Sequence, residues 1–133
     1  MKWSVKALEN ERAQQALDEI QGWQRKSGVS FGDVATRLKG LPVMIRGEGL
    51  ITSLAILLKG TAEDKAVADA LARWLKSCEL WAGNGAERPG APHALLETLV
   101  SMDNLEYRMI QREALAYVEH LKLLAEVWDN GGQ

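Results

Sequence analysis

The chain has 133 residues, of which 47% are hydrophobic and 26% charged, and a formal net charge of −2. That length is one domain, able to bury roughly two-thirds of its unfolded surface and so to fold without disulfide or metal. The balance excludes a generic polyanion binder, and Leu54 to Leu58, the longest fully apolar run, is far short of the ~20 residues that span a bilayer.

The single cysteine, Cys78, allows no internal disulfide and fits a reducing cytoplasm. The N-terminal stretch MKWSVKALENER lacks the apolar core of a signal peptide. Charge is unevenly placed. Residues 1–60 hold nine cations against six acids, and residues 61–133 hold seven cations against twelve acids. The N-terminal half is therefore the one to meet an anionic partner, although ordinary solvated surface charge accounts for these counts equally well.

In chain order, Ser4 to Lys26 reads as the first helix, with a narrow stripe at Ala13, Ala16, Leu17, Ile20 and Trp23. Ser27-Gly28 ends it. Ser30 starts a second helix, with Asp33 three residues on as a short-armed capping box and Phe31, Val34, Ala35 and Leu38 as core face. Pro42 either kinks this helix or starts the next segment, and Gly40 just before it favours a break.

Gly47 and Gly49 flank Glu48 and free the backbone to turn. Leu50, Ile51, Leu54, Ala55, Leu57 and Leu58 then follow at helical spacing, closed by Lys59-Gly60. Thr61 to Asp64 is a second capping-box start, its two acids complementing the helix dipole. That helix runs to about Trp81, with Val67, Leu71, Trp74, Leu75 and Cys78 on one face.

Gly83 to Pro92 is the clear loop, and His93 to about Met102 a short helix. The last helix, about Asp103 to Trp128, is the most regular. Tyr107, Ile110, Ala114, Tyr117, Leu121, Leu124 and Trp128 fall at a/d heptad spacing. A second apolar stripe, Leu105, Met109, Ala116, Leu123 and Val127, lies roughly 120° away. A helix apolar on two sides is central to a bundle or pressed on a partner protein. Helical periodicity throughout and the lack of strand patterns imply an all-α fold, a single compact bundle of about six helices spanning residues 1–133.

No active site emerges. His93, His120 and Cys78 have no metal-ligand spacing. The acidic pairs Asp18-Glu19 and Glu63-Asp64 are adjacent and so point apart on a helix. Most of the five tryptophans belong to the core, and an exposed one could stack on a base. Cations remain. Arg37, Lys39 and Arg46 crowd the break around Gly40-Leu41-Pro42, and Arg108, Arg112 and Lys122 share one side of the last helix, diluted by Glu119 and Glu126. An arginine among glycines where two helices meet is the better candidate, because exposed backbone amides there can also hold a phosphate.

The pattern Leu41-Pro42-x-Met44-Ile45-Arg46-x-x-Gly49-Leu50-x-x-x-Leu54-Ala55 resembles the small α-helical subunit of type III-B (Cmr-type) CRISPR RNA-guided effector complexes. A second block on the last helix agrees: Tyr107-Arg108, Glu113-Ala114-Leu115, Leu121-Lys122 and Ala125-Glu126. The chain departs from the family at His120-Leu121-Lys122-Leu123, where Trp-Leu-Lys-Arg is common, and at Glu48, where Asn is frequent. The departure at Leu123 removes a cation.

The resemblance implies a cytoplasmic, non-enzymatic protein without cofactor or metal. Copies would stack into a short filament beside the backbone and large subunits, while neighbouring subunits do the cleaving. Its basic surface would help hold the target RNA strand, through Arg37, Lys39 and Arg46 first, with Lys59, Arg108, Arg112 and Lys122 contributing. Two other readings stay open. One is a helical protein-protein adaptor with no nucleic-acid contact, favoured by the acidic C-terminal half. The other is a small helical enzyme, for which the sequence offers no candidate groups.

Overall fold

The computed structural model describes residues 5–78 and 90–130. Six helices and no strand occur among them: α1 (Val5–Arg25), α2 (Phe31–Glu48), α3 (Leu50–Leu58), α4 (Ala62–Ser77), α5 (Pro92–Ser101) and α6 (Asn104–Asn130). The all-α expectation is met. The expected extension of α4 to Trp81, most of the loop Gly83 to Pro92, and Trp3 lie outside the described residues.

Helix α6 is the spine, with α1, α2 and α4 packed on it. Of its heptad stripe, Ile110, Ala114, Tyr117 and Leu121 are buried, while Tyr107, Leu124 and Trp128 are half-buried. Glu113, Val118 and Ala125 are also buried, so the covered face is wider than a strict a/d seam. The second stripe behaves otherwise. Leu105, Met109, Leu123 and Val127 are exposed and Ala116 is half-buried. Among the described residues, three neighbours cover one side of α6 and leave the other bare.

Elsewhere most of the apolar periodicity becomes core, while Ala13, Leu17, Phe31, Ile51 and Leu58 are half-buried and Ala55 is exposed. Ala16, Ile20 and Trp23 of α1 are buried, as are Val34, Ala35, Leu38, Leu41 and Ile45 of α2 and Leu50, Leu54 and Leu57 of α3. On α4, Val67, Leu71, Trp74 and Leu75 are buried together with Cys78 just past its end. Trp74 stacks on Tyr117, with ring centroids 5.0 Å apart and planes 11° from parallel.

Helix starts follow side-chain chemistry. Thr61 and Asp64 form a complete capping box at α4. Pro92 occupies the first turn of α5, where its missing N–H costs nothing. At α6, Asp103 Oδ1 accepts the Glu106 N–H at 2.8 Å. Ser30 caps α2 by accepting the Asp33 N–H at 3.2 Å. The expected return arm from Asp33 is replaced: the Ser30 N–H donates to Glu63 Oε2 at 2.8 Å, tying the start of α2 to the first turn of α4.

The expected break at Gly40-Leu41-Pro42 does not exist. Helix α2 runs without interruption through Pro42 to Glu48. An interior proline costs a helix ~3 kcal/mol. Here Leu38, Leu41, Pro42 and Ile45 are all buried on the same stretch, and burying such side chains contributes ~1.5–3 kcal/mol each. Packing therefore outweighs the local penalty. The chain turns instead at Gly49, with φ 92° and ψ 162°, a backbone region essentially closed to other residues.

Candidate nucleic-acid interface

The turn at Gly49 lies against α6. The Leu50 N–H donates to Gln111 Oε1 at 2.8 Å and the Ile51 N–H to the Tyr107 hydroxyl at 3.1 Å. The Gly49 N–H donates to the Ile45 carbonyl at 2.9 Å. Side chains of α6 thus cap α3, which lacks a capping side chain of its own. These amides are already hydrogen-bonded, so the expectation that exposed amides at the elbow hold a phosphate is not met.

The three elbow cations are also not one patch. At ~100° per residue, Lys39 and Arg46 share one side of α2, and Arg37 falls roughly 160–200° away. Arg37 faces α4, where Nε donates to Asp64 Oδ1 at 2.7 Å and Nη2 to Oδ2 at 3.1 Å. Asp64 is buried and simultaneously caps its own helix. This fork fixes α2 on α4 and takes the Arg37 guanidinium out of the group.

The Arg37 guanidinium holds the Asp64 carboxyl below its ordinary value of 3.8, helped by the Thr61 N–H and opposed by burial. A carboxyl depressed in the folded state stabilises it at every pH above the unfolded value, and that contribution fades as pH falls through the folded one. Unfolding midpoints followed from about pH 6 to about pH 2 should therefore fall below about pH 4 more steeply in the wild-type chain than in Asp64→Asn. Equal slopes would show that the fork carries no net stabilisation.

Lys39 and Arg46 face α6 instead. The two helices run antiparallel, and between them lies a cleft of about 300 Å³ lined by Lys39, Pro42, Val43, Arg46, Glu119, Lys122, Leu123 and Glu126. Arg46 pairs with Glu119 across the seam, and Lys122 with Glu126 along α6 at 3.8 Å. Both pairs are at least one-third exposed, where water screens an ion pair to ~1 kcal/mol or less. Lys39 is exposed and makes no ion pair with any described residue.

Arg108 and Arg112 extend the same side of α6 towards its N-terminus, border a shallow depression with Gln111 and Leu115, and likewise make no ion pair among the described residues. Lys59 sits apart, at the end of α3. The structure therefore brings together Lys39, Arg46 and Lys122, aligns Arg108 and Arg112 with them, and separates Arg37 and Lys59.

Sequence reasoning missed Gln111 and Tyr107 as caps. They lie 61 and 56 residues from the amides they satisfy, and no local pattern connects them. It also missed two forks that hold α1. Arg12 binds both carboxylate oxygens of Glu113 at 2.7 Å, and Trp74 Nε1 donates to the same carboxylate at 2.9 Å. Arg73 binds both oxygens of Glu19 at 2.7 and 2.8 Å.

Catalytic groups do not converge among the described residues. No cluster of three or more His, Cys, Asp or Glu is placed to hold a metal. His93 is exposed, and His120 Nδ1 lies 3.1 Å from the Ala116 carbonyl. Glu63 and Asp64 point to different partners, as their adjacency requires. Trp23 and Trp74 are buried and Trp128 is half-buried. No helix among the described residues is long and apolar enough to cross a membrane.

Comparison with known proteins agrees with this architecture. The profile of the family described as CRISPR-associated protein (Cas_Cmr5) matches residues 8–128. Among solved structures, the chain is similar to a CRISPR-associated Cmr5 family protein from Thermus thermophilus. The two share 25% identity over 90% of this chain and 97% of that one, with a TM-score of 0.74. No curated protein sequence matches. The family match takes in α2 to α5 whole and all but the outer ends of α1 and α6, and the chain belongs to the Cmr5 family of CRISPR-associated proteins.

Proposed function

We propose that this chain is the non-catalytic small subunit of a type III-B CRISPR RNA-guided effector complex. In this reading it stacks in several copies beside the backbone and large subunits, in the cytoplasm. Its α2–α6 seam helps to hold the target RNA strand by its phosphates. The observation that carries the reading is the alignment of Lys39, Arg46 and Lys122 along one cleft, with Arg108 and Arg112 further along the same side of α6. Five cations against Glu119 and Glu126 leave that side positive on a chain whose overall charge is negative.

Both ion pairs at the seam are exposed, so a phosphate can displace the carboxylates at small cost. Phosphate contacts carry no sequence information, which suits a subunit that accepts any target while guide pairing reads the sequence. Few contacts per copy make a weak binder of one subunit, and several copies along one strand supply the affinity. Lys59, Arg108 and Arg112 contribute secondarily, and Arg37 acts through the α2–α4 fork.

The experiment is Lys39→Glu/Arg46→Glu/Lys122→Glu in the assembled complex. Each phosphate neutralised adds about −0.7 to the slope of log affinity against log salt for a single strand. The triple variant should assemble, keep its helical content, lose about tenfold in target affinity at low salt and flatten the slope by about 2 per copy engaged. Unchanged affinity and slope in a normally assembled variant would favour the second reading, a protein-protein adaptor. The specific observation behind that second reading is the bare apolar stripe on α6.

A further inference from the structure

The α2–α6 cleft carries cations, but part of its lining is apolar. Val43 and Leu123 stand in it 69% and 60% exposed, and Pro42 lines it as well. Val43 falls four residues after Lys39 and three before Arg46. At ~100° per residue the three lie within about 60° of one line along α2. The order along that line is cation, aliphatic, cation. Leu123 answers from α6, beside Lys122 and between Glu119 and Glu126. Of the exposed apolar residues of α6, it is the one that lines the cleft.

Exposed apolar side chains scattered singly are ordinary. Here two of them come from different helices into one cleft of about 300 Å³, a volume at the small end of ligand sites. A site for phosphate alone has no use for that surface, because an aliphatic side chain offers an anion nothing. An occupant that gains from the whole lining carries an anion on either side of a flat apolar body. One nucleotide within a single strand has that form, a base flanked by two phosphates. Arg108 and Arg112 continue the cations along the same side of α6. A strand with a charge on every unit makes use of such a continuation, whereas a peptide with one acidic patch does not.

The geometry points to a base-seating shelf in the seam. Val43 and Leu123 pack on the face of one base of the bound strand, while Lys39 and Arg46 hold the phosphates on its two sides. This rests on the RNA reading of the seam and adds to it a contact that is apolar where the others are ionic. Every base has a face to offer, so the shelf accepts any sequence. Neither aliphatic side chain can read the donors and acceptors of a base edge. Apolar burial is also insensitive to the counterion release that makes phosphate contacts weaken with salt.

The first test is a nuclear magnetic resonance titration of the full-length chain, labelled in its methyl groups, at low salt and up to millimolar strand. The probes are a short oligoadenylate and an abasic ribose-phosphate oligomer of the same length. Oligoadenylate should move the Lys39 and Arg46 side-chain signals and shift the Val43 and Leu123 methyl signals upfield, through the ring current of a base lying on them. The abasic oligomer should move the cation signals and leave the methyl signals in place. Cation signals that respond to oligoadenylate beside methyl signals that do not would overturn the shelf and leave the phosphate reading standing. No response at either set would overturn both and leave the cleft to an acidic protein partner.

The second test measures the energetic weight of the shelf. Val43→Ser/Leu123→Ser should keep the circular dichroism spectrum, since both side chains are exposed. In the assembled complex it should lose about tenfold in target affinity at every salt concentration, with the slope of log affinity against log salt unchanged. The cation triple variant flattens that slope, so the two contributions separate. Wild-type affinity in the assembled double variant would overturn the shelf. The titration needs no assembly, and it decides by itself where the double variant assembles poorly.

Discussion

Replacing Glu113 by alanine is expected to destabilise the fold by about 3 kcal/mol, lowering the thermal midpoint by roughly 10 °C. The carboxylate is only 4% exposed and accepts three hydrogen bonds, two from Arg12 and one from Trp74. Its removal leaves a guanidinium, 18% exposed, without its counter-charge and an indole N–H without an acceptor. Each group was desolvated on folding and recovers nothing in return. The ring of Trp74 also stacks on Tyr117, so a shift at this point is felt in the centre of the core.

Glu113→Gln should lose less, about 1–2 kcal/mol, because the amide oxygen still serves one donor. Arg12→Met/Glu113→Leu should lose less than the sum of the two single changes, since neither charge is then left unpaired. The measurement is chemical denaturation of the four proteins. A loss under about 1 kcal/mol for Glu113→Ala would mean that water replaces the carboxylate, and that packing rather than this hub holds α1 on α4 and α6.

The second large effect is expected at Gly49. Its φ of 92° and ψ of 162° lie where a side chain costs ~1–3 kcal/mol in backbone strain. A Cβ there would also stand 3.3 Å from the Tyr107 hydroxyl and 3.7 Å from Gln111 Oε1, the two atoms that cap α3. Gly49→Ala should therefore cost about 2–4 kcal/mol, with strain and a disturbed cap acting together.

Gly47, two residues earlier, makes the control. It lies inside α2 with nothing within 4 Å of its would-be Cβ, and Gly47→Ala should stabilise by about 0.5–1 kcal/mol through helix propensity. Opposite signs two residues apart would place the turn at Gly49 in solution. A neutral Gly49→Ala would show that the elbow can adopt another path.

What the sequence determined by itself is local. Apolar residues three and four apart can be covered only by a helix face, so five core stripes are legible without tertiary information, and they locate Ile20, Leu38, Leu54, Leu71 and Tyr117 in the core. Caps are local too: Thr61 with Asp64, and Ser30 with the Asp33 N–H, are decided within four residues. The two family blocks were legible for the same reason, since a motif is a local pattern.

What only the tertiary structure decided depends on partners distant in the chain. Pro42 reads as a kink or the start of a new segment, with Gly40 favouring a break, yet its side chain is buried and the ~3 kcal/mol penalty is overcome. Arg37, Lys39 and Arg46 read as one patch along the chain. Helical geometry turns Arg37 to the opposite side of α2, and Asp64, 27 residues on, binds it there. The amides after Gly49 read as free, and Gln111 and Tyr107 close them from α6. Local sequence sets backbone periodicity and end chemistry. The partner that a charged or hydrogen-bonding group finds is set by which helices the core brings together, because Coulomb and hydrogen-bond terms act through space at a few ångströms and take no account of separation along the chain.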